Sequence, residues 1–316
     1  MADVQTRPSP EARADLLRAV LAGLAEPQKR LPGKLLWDET GSNLFDRICN
    51  SASYYPTRTE MALLPSVAAD VAATTPPGVI VVEFGSGASR KIRTLLDALD
   101  QPSRFVALDI SGEYLEAALR RLAPDYPQVE MIPICADYSQ PVRLPVDLSG
   151  EPVLGFFPGT SIGNFVPEQA KLFLRRARTT LGPSRFLVGV DPTRDPARLA
   201  RAYGDADGLM AALHRNLLAR LNRECNADFA LDNFRHEARV RDDPFRVEAH
   251  LVTLASATYH IGSMPVRFEA GESIHTDNSH KYSPDAFRAL AEQAGWHSER
   301  IWLAADGAFS LHLLGA

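Results

Sequence analysis

The chain is 316 residues long, with 45% hydrophobic and 23% charged side chains, enough to bury the core of one large domain or two moderate ones. Its 34 basic residues stand against 39 acidic ones, a net charge of −5 with no block of like charge, which argues against nucleic acid or an anionic membrane as a partner. No run of about 18 apolar residues is present to cross a bilayer. The three cysteines, Cys49, Cys135 and Cys225, are too scattered for a disulfide framework or a zinc knuckle and read as small buried hydrophobes.

In chain order, the segment through Leu24 has apolar positions at helical spacing and carries Asp3, Glu11 and Asp15 where a signal peptide would be basic. It reads as an amphipathic helix of a cytoplasmic protein. Val79 to Phe84 is a continuous apolar run of strand length that ends in Gly85-Ser86-Gly87 and passes into a helical pattern, as a buried parallel strand feeding a helix would. Runs at Arg104 to Leu108, Val129 to Ile134, Val153 to Phe157 and Phe186 to Val190 repeat the theme, with Asp109, Asp137 and Asp191 at or just past their ends. Helical stretches fall between most of them, including Ser111 to Leu122 with Ser111 placed to N-cap. This alternation predicts a parallel, doubly wound sheet.

Beyond Asp191 the texture changes. Residues 195 to 221 form one or two helices, 229 to 268 alternate apolar and polar in the manner of half-buried antiparallel strands, and Ser283-Pro284-Asp285 opens a helix closed by Gly295. Two short strands near 301–303 and 309–314 finish the chain. The expected organisation is a core domain of residues 60–192 and 283–316, interrupted by a second, α+β unit of residues 10–59 and 193–282.

Ligands of an open α/β sheet bind beyond the carboxyl ends of its strands, so the corners matter most. Glu83-Phe84-Gly85-Ser86-Gly87 lets backbone approach a ligand closely. A dinucleotide fingerprint would need a third glycine where Arg90 stands, which disfavours a nucleotide-dependent oxidoreductase. Asp109, about 20 residues on, is placed for a ribose diol, and Asp137-Tyr138 for an adenine amino group. Acids at three successive strand ends suit adenosine without phosphate, the competing reading being that Asp109 merely caps the next helix. The eight histidines show no metal-ligand spacing, so no metal is expected and they read as surface or structural residues.

Five segments carry a family resemblance: Tyr54-Tyr55-Pro56-Thr57-Arg58-Thr59-Glu60, Glu83 to Gly87, Phe157-Pro158-Gly159-Thr160-Ser161-Ile162-Gly163-Asn164, Asp195 to Leu199 with Tyr203, and His275-Thr276-Asp277-Asn278-Ser279-His280-Lys281-Tyr282. On these, from about Leu31 to Leu314, the chain resembles the histidine Nα-methyltransferases of ergothioneine biosynthesis. The resemblance implies a Rossmann-like class I methyltransferase sheet with an inserted α+β substrate-binding domain, S-adenosylmethionine as cofactor, and repeated methylation of the α-amine of a free amino acid by a monomer. It implies that Glu83, Gly85, Gly87, Lys91, Asp109, Asp137 and Tyr138 contact the cofactor. Asn164 and Tyr203 would bind the substrate carboxylate, Gly159 would lie near the amine, Tyr55 would line the side-chain pocket, and Asp277 and Ser279 would face the imidazole.

Three positions depart from that pattern. Asp277 is one methylene shorter than the glutamate usual there, Ala249 stands where methionine is common, and Trp37 stands near a frequent tyrosine. These changes open the alternative of another aromatic amino acid or a biosynthetic intermediate as substrate. A non-catalytic S-adenosylmethionine-binding protein is the alternative from another class. Methyl transfer from a sulfonium mainly requires alignment of an unprotonated amine, and the sequence offers no dedicated strong base. Trp37, Phe45 and Tyr55 are placed to stabilise the growing fixed cation.

Overall fold

The structure, a computed structural model, describes residues 10–316, so Asp3 lies outside the described residues. The chain runs α1 (Pro10–Leu24), α2 (Glu39–Cys49), α3 (Tyr55–Ala72), β1 (Ile80–Phe84), α4 (Arg90–Ala98), β2 (Arg104–Asp109), α5 (Gly112–Leu122), β3 (Glu130–Cys135), β4 (Val153–Phe157), α6 (Pro167–Leu181) and β5 (Arg185–Val190). It continues α7 (Pro196–Tyr203), α8 (Leu209–Cys225), β6 (Phe234–Asp242), β7 (Phe245–Thr253), β8 (Ala257–Ile261), β9 (Met264–Phe268), β10 (Ser273–His280), α9 (Pro284–Gln293), β11 (His297–Leu303) and β12 (Ser310–Gly315).

The main sheet has the order β11-β12-β5-β4-β1-β2-β3, with β1 to β5 parallel and the β11–β12 hairpin added antiparallel to β5. This is the α/β, class I methyltransferase sheet. β1 is buried along its whole length because alternate side chains enter opposite layers. Val81 packs with Leu64, Val67 and Leu95 of α3 and α4, while Ile80, Val82 and Phe84 pack with Phe173 and Leu174 of α6 and Phe287 of α9. The chain leaves β1 toward β2 and β3 on one side and reaches β4 and β5 on the other, so a crevice opens beyond the carboxyl end of β1 at this reversal.

A third apolar cluster joins the N-terminal segment to the insertion: Leu31, Leu36 and Ile48 pack with Leu199, Leu217, Leu221, Phe234, Leu251 and Ile274. Within it lies a three-stranded antiparallel sheet in the order β10-β7-β6. β7 is buried on both faces, not half-buried as its alternation suggested. The polar run of residues 275–282 largely belongs to β10. Its hydroxyls are tolerated inside because they have partners: Thr276 Oγ1 donates to the Ala249 carbonyl and Ser279 Oγ accepts from Lys281.

Two smaller expectations fail. Ser111 does not cap α5; its hydroxyl turns back to Ser42 Oγ, 3.1 Å away, and to the Trp37 carbonyl. Cys135, at the edge of the sheet on β3, is exposed and not a buried hydrophobe. Ser283 does cap α9, accepting from Ala286 N, and Gly295 closes it at φ +91°. No described helix is long and apolar enough to cross a membrane.

Candidate active site

The crevice beyond β1 is one end of a continuous cavity whose wall runs from the glycine turn to the face of the three-stranded sheet. At the first end the Asp109 carboxylate, at the tip of β2, accepts from Gly87 N at 3.0 Å and from Ser111 N at 2.9 Å. It thus anchors the start of α5, as the helix-cap reading held, and the glycine turn as well. Burial pushes its carboxyl up against these two bonds. Glu83 lies beneath the turn, almost fully buried, where it accepts from Ser86 Oγ at 2.5 Å; burial raises its pKa to about 8.

Gly85 holds φ +70°, and a Cβ there would stand 3.1 Å from the Tyr138 hydroxyl, so both backbone shape and space demand glycine. The Tyr138 ring is itself set edge-on against Phe84 and Phe157. These groups fit S-adenosylmethionine: a close glycine approach, an aromatic wall, and a carboxylate with lone pairs left for a diol. Asp137 does not join them. Its carboxylate accepts from Ser139 N of its own loop at 3.1 Å and from Lys34 Nζ of the N-terminal segment at 3.3 Å. Burial alone would raise it, yet the Ser139 bonds and the Lys34 charge hold it below the usual carboxylate range.

Midway, Lys91 Nζ pairs with the fully buried Glu60 at 2.5 Å, and the other Glu60 oxygen accepts from Gly159 N at 2.8 Å. Glu60, the last residue of the Tyr54–Glu60 segment, thereby fixes the turn after β4 to α4. Gly163 packs against the backbone of His280 with no room for a Cβ, which brings Asn164 and β10 to one side of the cavity.

Four aromatic rings follow in edge-to-face contact: Trp37 on Phe45 at 5.2 Å, Phe45 on Tyr54 at 6.1 Å, and Tyr54 on Tyr203 at 5.8 Å. Tyr54, not Tyr55, lines the cavity. α3 starts at Tyr55, so the next side chain swings away; the Tyr55 hydroxyl donates to Asp191 at 2.6 Å and its ring lies under the Arg198 guanidinium. Burial first, then the Asp191 charge, drives the Tyr55 phenol far up.

Asp191 is the centre of a buried network. Besides Tyr55 it takes Thr193 N at 2.9 Å and Lys281 Nζ at 2.7 Å, both charges being wholly shielded from solvent. Lys281 donates also to the Tyr203 and Ser279 hydroxyls, at 2.7 and 2.9 Å. Burial pulls Lys281 down, but Asp191 and Tyr203 outweigh it and raise the ammonium above its ordinary value.

On the inner face of the small sheet, Ala238, Ala249 and Asp277 stand side by side across three strands, and Val240, Val247 and Ser279 form the next row. Burial raises Asp277 to about 7, opposed only by a backbone hydrogen bond from Asn278. The sequence reading missed His214 of α8 and His236 of β6, which close this end as a parallel stack 4.9 Å apart. Histidines without metal spacing carry no signal of their own, and only the docking of α8 on β6 brings this pair together. Fourteen of the sixteen expected residues line the one cavity; Tyr55 and Asp137 are the exceptions. No group of three or more metal-ligating side chains occurs among the described residues.

Residues 16–316 match the family model described as histidine-specific methyltransferase, SAM-dependent. The histidine N-alpha-methyltransferase of Mycobacterium tuberculosis is 38% identical over 304 residues, covering 94% of each chain, and that of Mycolicibacterium smegmatis is 36% identical with the same coverage. An N-methyltransferase of Aspergillus flavus is 30% identical over 325 residues, 95% of this chain and 88% of its own. With the sheet order and the glycine turn already in place, the chain belongs to the S-adenosylmethionine-dependent, histidine-specific methyltransferase family.

Proposed function

We propose that this enzyme methylates the α-amino group of histidine or a histidine-like amino acid and carries the reaction to the trimethyl betaine. The observation that carries the reading is the single cavity that joins Gly85 and Asp109 at one end to Asn164, Tyr203 and Asp277 at the other. In this reading residues 60–192 and 283–316 hold the cofactor, and residues 10–59 and 193–282 hold the substrate.

When bound, S-adenosylmethionine supplies an electrophilic methyl carbon on a sulfonium sulfur. Gly85, Gly87 and Asp109 hold the adenosine end, with Glu83 bracing the turn through Ser86. Asn164 and Tyr203 hold the substrate carboxylate, and Asp277 takes the side chain. The amine is thereby pointed past Gly159 toward the glycine turn. Alignment supplies most of the rate, because a nitrogen lone pair forms the new C–N bond as the C–S bond breaks. The amine must shed its proton first. Glu60, behind Gly159, is tied to Lys91 and to Gly159 N and is not free to take it, which leaves water to carry the proton away. As the nitrogen gains a fixed charge, Trp37, Phe45 and Tyr54 stabilise it through their ring faces.

Incubation with S-adenosylmethionine and a panel of free amino acids, followed by mass spectrometry, tests the reading. A product three methyl groups heavier is expected. Cofactor binding without mass gain on any amino acid overturns it in favour of a non-catalytic binding protein.

A further inference from the structure

The far end of the cavity is built for more than an imidazole. In the row Ala238–Ala249–Asp277, two neighbouring strands present only methyl groups beside the acid, while the next row presents Val240 and Val247. With strands about 4.8 Å apart, the two alanines leave a trough of roughly 10 Å that runs from Asp277 across β7 to β6. An imidazole held by Asp277 would leave that trough empty. Two residues from Ala238 on the same strand face, His236 stacks on His214, so the trough ends on a pair of aromatic rings.

The protons of these two rings follow from their partners. His236 Nε2 lies 2.9 Å from the Tyr203 carbonyl oxygen, which can only accept, so Nε2 carries the proton and Nδ1 is a bare acceptor. That Nδ1 is buried and has no partner. The single hydroxyl proton of Thr276 goes to the Ala249 carbonyl at 3.1 Å; the 2.8 Å contact from His214 Nδ1 to Thr276 is therefore an N–H donating, which leaves His214 Nε2 bare. Burial lowers the basicity of both rings, so they stay neutral acceptors. The subsite thus offers one reachable ring acceptor, His214 Nε2, and beside it the Asp277 carboxyl, an acceptor once ionised, while His236 Nδ1 is closed off behind the stack. Buried acceptors of this kind call for a donor.

We infer that the amino acid taken by this site has a flat side chain longer than imidazole that ends in a ring donor, an indole N–H or a phenol O–H, seated on the Ala238–Ala249 trough against the His214–His236 pair. The inference rests on the reading of the cavity as an amino acid N-methyltransferase site and replaces histidine, within that reading, by a larger donor-ended side chain. A pocket that hydrogen-bonds its ligand discriminates strongly against an analogue lacking the group, whereas a pocket that only packs does not.

The experiment is calorimetric binding of histidine, tryptophan, tyrosine and phenylalanine to the full chain saturated with S-adenosylhomocysteine, alongside methyl transfer from S-adenosylmethionine to the same four. Tryptophan or tyrosine is expected to exceed both histidine and phenylalanine by ~10-fold or more in affinity and in kcat/KM. His214→Phe, which keeps a ring and removes an acceptor, should erase the preference over phenylalanine. Ala249→Met refills the trough and should turn preference toward histidine, and it keeps the test open if His214→Phe fails to fold. Histidine preferred by the unaltered protein, or phenylalanine equal to tryptophan and tyrosine, overturns this inference and leaves the methyltransferase reading standing. No binding and no methylation with any of the four removes both.

Discussion

The hydroxyls of Tyr203, from α7, and Ser279, from β10, lie 2.9 Å apart and both accept from one buried ammonium, Lys281 Nζ. One hydroxyl proton serves their mutual bond, so the pair has one proton left to offer the cavity. The two groups that the family resemblance gives to opposite ends of the substrate, carboxylate and side chain, therefore share a single cation-backed unit. That unit has a hydroxyl proton to donate and an ammonium behind it, an arrangement that suits a carboxylate.

Lys281→Met should be severely destabilising, because it leaves Asp191 as an uncompensated buried charge. A loss of ~3–5 kcal/mol is expected, read from urea unfolding. Adding Asp191→Asn should restore a large part of it. A single variant as stable as the parent would show that the pair is not the buried linkage described.

Asp109→Ala should weaken S-adenosylmethionine binding by ~10- to 100-fold, the range of a hydrogen bond to a charged acceptor. Calorimetry on the folded variant measures it. Affinity unchanged within a factor of two would remove Asp109 from the cofactor site.

The adjacent tyrosines should separate cleanly. Tyr55→Phe loses the bond to Asp191 and should cost ~1–3 kcal/mol of stability with little effect on KM. Tyr54→Leu removes a ring from the cavity wall and should lower kcat/KM by ~10-fold, most in the last methylation, where the cation is formed. The reverse pattern would reinstate Tyr55 as the cavity residue.

Two carboxyls have folded pKa values raised above the unfolded range, Asp277 to about 7 and Glu83 to about 8. The native state therefore holds protons that the unfolded chain has released between about pH 4 and these values, and stability should fall as pH rises through that window. Asp277→Asn should remove the part of the slope that ends near pH 7 and leave that of Glu83. For a donor side chain, KM should also fall as pH rises through about 7, when Asp277 becomes an acceptor-only carboxylate, and should be flat in Asp277→Asn. A KM profile identical in the two proteins would dissociate Asp277 from the substrate.

Much of the sheet was legible in the chain because each piece depends on neighbours in sequence. An apolar run with alternate residues bound for opposite layers makes β1, and the glycines after it satisfy a backbone with φ above zero. Asp109 is legible for the same reason, since a strand end and a helix start within a few residues leave it at the rim of the crevice. β10 was not, because a run of consecutive polar residues lacks the alternation that marks a strand. Its partners His214 and Ala249 become visible only once α8 and β7 are docked on it.

What the amino-acid order determined alone is the parallel sheet, its glycine turn, and the set of corners where chemistry gathers; these follow from periodicity and turn propensity over spans of a few residues. Tertiary packing decided which of two consecutive tyrosines faces the cavity, that Asp137 pairs with Lys34, that Asp191 and Lys281, 90 positions apart, neutralise each other, and that two histidines close the far end of the cavity. The reason is physical: the direction of a side chain past a helix start, and the partner of a buried charge, are set by the relative placement of elements distant in sequence, which no local pattern records.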